Sequence, residues 1–238
     1  MKQPGKVLVA LLALAWGLGG SVRAEVAAEV DVQGNYVRTV VFSNSSVRNA
    51  RVWGGPKEKI GFRNLNPKGD ENGDLWPLIV DQTAGERKPW VLWSRFNGAD
   101  FDLAWSTFEA GSWREVSWLE AAPSAAGDDL DPDAAFDADG RPHVVWWRNE
   151  GGVSRVYLSV FLVTRWMPAF LVSDPSIDSL HPSVTVLPDG KIEVAFDTPA
   201  GRVVRVVAFG RPSTITDDVT PFGRMTVTEE RSAGSLSH

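Results

Sequence analysis

Three stretches decide the fold: Leu-Trp-Pro-Leu-Ile-Val-Asp from Leu75 to Asp81, Leu-Asp-Pro-Asp-Ala-Ala-Phe-Asp from Leu130 to Asp137, and Leu-His-Pro-Ser-Val-Thr-Val from Leu180 to Val186. They place Pro77, Pro132 and Pro182 at separations of 55 and 50 residues, and each opens an apolar, β-rich run. A second run follows at a matching offset, ending at Trp93, Trp146 and Phe196, with separations of 53 and 50. A third ends at Phe108, Phe161 and Phe209, with separations of 53 and 48. Asp139-Gly140 and Asp189-Gly190 stand between first and second runs. Such pairs supply the positive φ of a tight hairpin, and Gly85 sits in a looser counterpart.

A fourth run is legible from Trp113 to Leu119 and from Trp166 to Ser173, and more faintly from Ser213 to Thr216. Each unit is therefore four short strands, and several offsets agree at once, which chance alternation rarely delivers. An all-β chain of four-stranded, aromatic-rich units near 50 residues reads as a set of β-propeller blades. The alternative is a β-sandwich with evenly spaced strands. The units run over 75–129, 130–179 and 180–228. Within 25–74, Tyr36–Phe42 and Ala50–Trp53 look like a third and fourth strand, half a blade. Three to four units imply either a small closed ring, with strands near Arg224 to Thr228 completing it, or an incomplete ring whose open edges favour a homo-oligomer or another partner. Residues 229–238 read as a disordered tail.

The N-terminus has a different character. Lys2 and Lys6 precede the apolar run Val7 to Leu18, and small residues follow up to Ala24. This is the pattern of a cleavable signal peptide over 1–24, which places the chain in the periplasm or outside the cell. Twelve apolar residues span about 18 Å as a helix, against roughly 30 Å of bilayer core, so no stable membrane span is expected after cleavage. Removing Lys2, Lys6 and Arg23 from the 24 basic residues leaves 21 against 30 acidic ones, a formal charge of −9. That balance argues against nucleic acid as a partner. With no cysteine, stability must come from a packed core, to which the tryptophans contribute; Trp90, Trp105, Trp113, Trp118 and Trp166 are read as core.

Phe136 to Trp147 and Leu187 to Asp197 resemble blades of the sialidase-like propellers, whose repeats carry the Asp-box Ser-x-Asp-x-Gly-x-Thr-Trp. The resemblance covers roughly Leu75 to Phe209. Here the box reads Asp137-Ala138-Asp139-Gly140-Arg141-Pro142-His143, without the serine and threonine. Sialidase catalysis implies three arginines around a substrate carboxylate, a tyrosine nucleophile with a glutamate partner, and an acid/base aspartate. The tyrosines available are Tyr36 and Tyr157.

In a propeller the loops entering the first strand and those joining second to third strands gather on one face. Trp76, Asp131 and His181, each just before a strand-opening proline, offer that face a stacking surface, an acceptor and a titratable ring. Arg95 and Arg148, two residues beyond Trp93 and Trp146, project alike by repeat register, and two guanidinium forks can bind a carboxylate or sulfate. Replacing both by alanine should then abolish binding of an anionic ligand while leaving the melting temperature nearly unchanged. Asn97, Asn149, Glu150 and Asp197 add polar contacts suited to a sugar. The acids Asp128, Asp129, Asp131, Asp133, Asp137 and Asp139 flank a strand instead of filling one loop, which argues against calcium. Three histidines without ligand spacing argue against zinc, and no glycine loop cradles a phosphate. No cofactor and no metal are expected.

The reading is an exported, non-catalytic propeller-type protein that recognises a carbohydrate or a protein through its loop face, with Trp76, Arg95, Asp131, Arg148, Glu150 and His181 as site residues. One alternative is a sialidase-like glycoside hydrolase, for which Asp131 and Glu150 are the carboxylate pair to nominate. Another is an assembly subunit that recruits a second chain along open strand edges.

Overall fold

Alternation of apolar and polar residues dominates the runs, and those within the described residues become strands. The computed structural model describes residues 23–30, 36–43, 48–55, 61–64, 74–82, 88–109, 112–119, 127–162, 164–209 and 225–233. The described residues form four antiparallel sheets, built in chain order as meanders. The chain divides into two units, Met1–Pro123 and Ser124–His238, with two sheets in each.

In the first unit, one sheet comprises β1 (Arg23–Val30), β2 (Tyr36–Ser43), β3 (Arg48–Gly55) and β4 (Gly61–Asn64). The two runs that resemble half a blade are thus the second and third strands of a four-stranded sheet. The half-blade reading fails because β1 begins inside the apparent leader and β4 is only four residues long, so neither announces itself by periodicity. The second sheet comprises β5 (Asp74–Asp81), β6 (Pro89–Phe96), β7 (Phe101–Glu109), β8 (Ser112–Trp113) and β9 (Ser117–Trp118).

The second unit repeats this plan with β10 (Asp129–Phe136), β11 (Pro142–Glu150), β12 (Val153–Leu162), β13 (Arg165–Trp166) and β14 (Phe170–Leu171). Its other sheet has β15 (Leu180–Val186), β16 (Ile192–Thr198), β17 (Gly201–Phe209) and β18 (Met225–Ala233). The outer strand of this last sheet is therefore β18. Ser213 to Thr216 lie outside the described residues, as do Gly85 and residues 1–22. The expected tail is also corrected: residues 229–233 pair with β17, from Glu229 opposite Val206 to Ala233 opposite Arg202. Charged Glu229, Glu230 and Arg231 conceal a strand that backbone pairing and the Arg205–Glu230 ion pair hold in place.

The hairpin turns follow the sequence. Gly140 and Gly190 adopt φ of 78° and 82°, and each donates its N–H back to the residue three positions earlier, Asp137 and Leu187. In two sheets the outer strand is split, because β8 and β9 both pair with β7, and β13 and β14 both pair with β12. Between β13 and β14 lies Pro168, which has no N–H to give a ladder.

Two apolar clusters hold the sheets. In the second unit Val145, Val156, Leu158 and Val160 from one sheet join Val184, Ile192, Val194, Phe196 and Val207 from the other. In the first, Ile79, Val91, Trp93, Ala104 and Trp113 pack together. Trp90 and Trp113 are buried and Trp105, Trp118 and Trp166 half-buried. Trp90 stacks on Trp105 with ring centres 4.9 Å apart.

Candidate functional site

The three prolines that mark the repeat have a common structural cause. In each first strand the register slips between Leu75 and Leu78, Leu130 and Asp133, and Leu180 and Ser183. Two residues, X-Pro, therefore oppose a single residue of the next strand: Trp93, Trp146 or Phe196. Each is a β-bulge, and proline suits it because a bulged residue has no ladder bond to donate. The residue before the proline takes a left-handed conformation, with φ of 53° at Trp76, 56° at Asp131 and 49° at His181. These are the only non-glycine residues of positive φ among the described ones. Such a conformation costs about 1–2 kcal/mol for an L-residue and concentrates where a side chain must be aimed.

In the second unit the bulges bring two of these side chains together. His181 Nδ1 lies 2.8 Å from Asp131 Oδ2, across 50 residues of sequence. The carboxylate accepts, so Nδ1 carries the proton. The His181 side chain is 57% exposed and that of Asp131 23%. Burial pushes the Asp131 carboxyl above its ordinary range, and the bond from His181 opposes that rise. Further into the same strands, the Val184 N–H donates to Asp133 Oδ2 at 2.9 Å, fixing the inner strands side by side.

His181 stands in the wall of a cleft of about 520 Å³, lined also by Asn149, Gly152, Ser154, Asp178, Leu180, Asp197, Thr198 and Pro199. These residues come from the end of β11, the β11–β12 turn, the start of β12, the entry to β15 and its first residues, the end of β16 and the β16–β17 turn. Asp178 Oδ1 accepts the Ser154 N–H at 2.8 Å, and Asp197 Oδ1 accepts from Arg202 Nη1 at 2.8 Å. Thr198 Oγ1 donates to the carbonyl of Gly201 at 2.7 Å. Sequence reasoning points to His181, Asn149 and Asp197 but passes over Asp178 and Ser154. Their signal is positional: both lie in segments that feed the same end of the sheets.

Each of the two arginines is engaged within its own sheet. Arg148 meets Asp129 in a two-pronged pair, Nε to Oδ1 at 2.5 Å and Nη2 to Oδ2 at 2.7 Å. Their side chains are only 7% and 3% exposed. The guanidinium also lies 5.0 Å from the ring centre of Tyr157. Arg95 occupies the same place in its own sheet, opposite buried Asp74 in register and 5.3 Å from the ring of Trp118. Asp74 accepts the indole N–H of Trp93 at 2.7 Å. In the last sheet the corresponding residues are Ser179 and Thr198. Arg148 is thus drawn into its sheet, because buried Asp129, two residues before the bulge, needs a charged partner.

Glu150 is engaged by Arg155 and by the Tyr157 hydroxyl, which donates to it at 2.8 Å. Burial, followed by the bond to Glu150 and its charge, pushes the Tyr157 phenol up to about 12. A phenol so held keeps its proton at neutral pH. Trp76 is half-buried in the first unit. Among the described residues no group of three or more His, Cys, Asp or Glu could hold a metal ion, and no helix is long and apolar enough to cross a membrane.

No protein-family model matches the chain, and neither does any curated protein sequence. Solved structures do. An α-L-arabinanase of Penicillium chrysogenum, in complex with arabinobiose, is 14% identical with a TM-score of 0.52, over 75% of this chain and 61% of that one. A Dyadobacter fermentans protein of unknown function is 12% identical with a TM-score of 0.57, over 86% of this chain and 70% of that one. The NanB sialidase of Streptococcus pneumoniae is 11% identical with a TM-score of 0.44, over 74% of this chain and 29% of that one. The sheets are β-propeller blades. The repeats are accordingly shown as propeller blades at the level of fold, and no repeat family is matched. The chain spans 61% of the arabinanase it resembles.

Proposed function

We propose that this protein is exported and binds a carbohydrate in the cleft of its second unit, without cleaving it. The observation that carries this reading is the convergence of His181, Asn149, Asp178 and Asp197 on one open cleft of about 520 Å³. The bulge aims His181, and Asp131 fixes its ring. A sugar is recognised by such a set of directed polar groups on a rigid sheet end. The likeness to an arabinanase complexed with arabinobiose supports a sugar over other polar ligands.

The hydrolase alternative draws on a facing carboxylate pair. Asp131 is turned to His181 and Glu150 to Tyr157 and Arg155, and neither lines the cleft. Titration calorimetry of the full chain against arabino-oligosaccharides and a panel of other glycans tests the proposal. Binding that His181→Ala weakens at least tenfold supports it, and silence across the panel refutes it. Release of reducing ends from any bound glycan would establish the hydrolase instead.

A further inference from the structure

The cleft's charge says which sugars it takes, an inference that rests on the carbohydrate reading above. None of the residues lining the cleft is a lysine or an arginine. The cations nearby are committed: Arg202 donates to Asp197 and, at 2.8 Å, to Ser183, while Arg155 serves Glu150 and the carbonyl of Pro175. The His181 Nδ1 proton is turned to Asp131 and away from a ligand. The Thr198 hydroxyl hydrogen is given to Gly201.

Acceptors dominate what remains. Asp197 is offset by Arg202, but Asp178 accepts only the backbone N–H of Ser154, and among the described residues no cation pairs with it. Asp178 is exposed in the wall. One of its oxygens is held by the backbone, so the carboxylate is positioned without being neutralised. A wall with one uncompensated carboxylate repels a bound anion and attracts a cation at short range.

We infer that the cleft selects amino sugars over uronic or sialic acids, with Asp178 the residue that sets this preference. An ammonium group on the sugar would meet the Asp178 carboxylate, while ring hydroxyls donate to Asp197. A sugar carboxylate placed there would find no guanidinium to receive it.

Calorimetry of the full chain at low salt with three probes tests this: glucosamine oligomers, neutral arabino-oligosaccharides and galacturonate oligomers. The expected order of affinity is glucosamine, then neutral, then galacturonate, each step about fivefold, the effect of one unit-charge interaction across solvent-exposed contact distance. Asp178→Asn preserves the acceptor for the Ser154 N–H, so it should fold as the parent does, and it should collapse the order to within about twofold. Galacturonate binding as tight as glucosamine, or an order unmoved by Asp178→Asn, overturns the inference and leaves the carbohydrate reading intact. Failure of all three probes overturns both.

Discussion

Arg148 offers the sharpest test of how the arginines are used. Arg148→Ala removes a guanidinium that makes two short bonds to Asp129 and covers Tyr157, in a pair whose side chains are at most 7% exposed. What remains is a carboxylate at the core end of β10 with its charged partner gone. Breaking a buried pair in this way costs about 3–5 kcal/mol. The last sheet supplies the control, because Ser179 and Thr198 replace the pair at equivalent positions. Grafting them as Asp129→Ser with Arg148→Thr removes both charges together, leaving mainly the lost packing of the arginine stem, about 1–2 kcal/mol. The double variant should then be about 2–3 kcal/mol more stable than Arg148→Ala, and with Asp129→Ser and Arg148→Thr measured singly the two sites should couple strongly instead of adding. Urea unfolding of the four proteins of this cycle, followed by tryptophan fluorescence, measures it. A cost below about 1 kcal/mol for Arg148→Ala, or simple additivity, would show that the pair is not buried and would return Arg148 to the ligand-binding face. The sequence alone predicts a nearly unchanged melting temperature for the double alanine variant of Arg95 and Arg148; the structure predicts severe loss.

The remaining expectations concern the bulge, a turn and acid. His181→Gly relieves a positive φ of 49°, so stability should stay level or rise by about 1 kcal/mol in thermal unfolding while glycan binding falls at least tenfold; a clear loss of stability would argue against backbone strain there. Gly127 has φ of 132°, and a Cβ there would press on the carbonyl oxygen of Asn149, so Gly127→Ala should cost about 3 kcal/mol or more and disturb the Asn149 wall of the cleft, which calorimetry would show as weakened binding. Glu109 is drawn down to about 2, first by the bond from Lys88. Asp137 is pushed up by burial but held below its ordinary range by the bonds from His143 and Arg141 that outweigh it. Both carboxyls are depressed on folding, so their contribution is complete above their unfolded values, about 4, and is lost as the pH falls below them. Urea midpoints should therefore drop between about pH 4.5 and pH 2, and Glu109→Gln should flatten part of that slope; an unchanged slope would remove Glu109 from the account.

The repeat was legible because it is written in residues whose backbone preferences are strong. Proline at 77, 132 and 182 marks a bulge, and the aromatic at 93, 146 and 196 marks its partner on the next strand. Asp-Gly at 139–140 and 189–190 marks the hairpin. Those local signals also singled out Trp76, Asp131 and His181, although their left-handed backbone was not visible in sequence. The first half of β18 was marked near Arg224 to Thr228, but its charged second half, 229–233, and the short strand β4 escaped, since their strandedness comes from pairing and not from apolar alternation.

Sequence by itself determined that the chain makes four-stranded units, because turn chemistry and side-chain alternation act over a few residues. Only tertiary structure decided what each charge does. Asp129 lies 19 residues from Arg148, and Asp131 lies 50 from His181. Buried Asp129, two residues before its bulge, claims Arg148, whereas the bulge residues Asp131 and His181 meet each other and His181 lines the cleft. Register and burial, which no single strand specifies, separate the ion pair that holds the sheet from the groups left to meet a ligand.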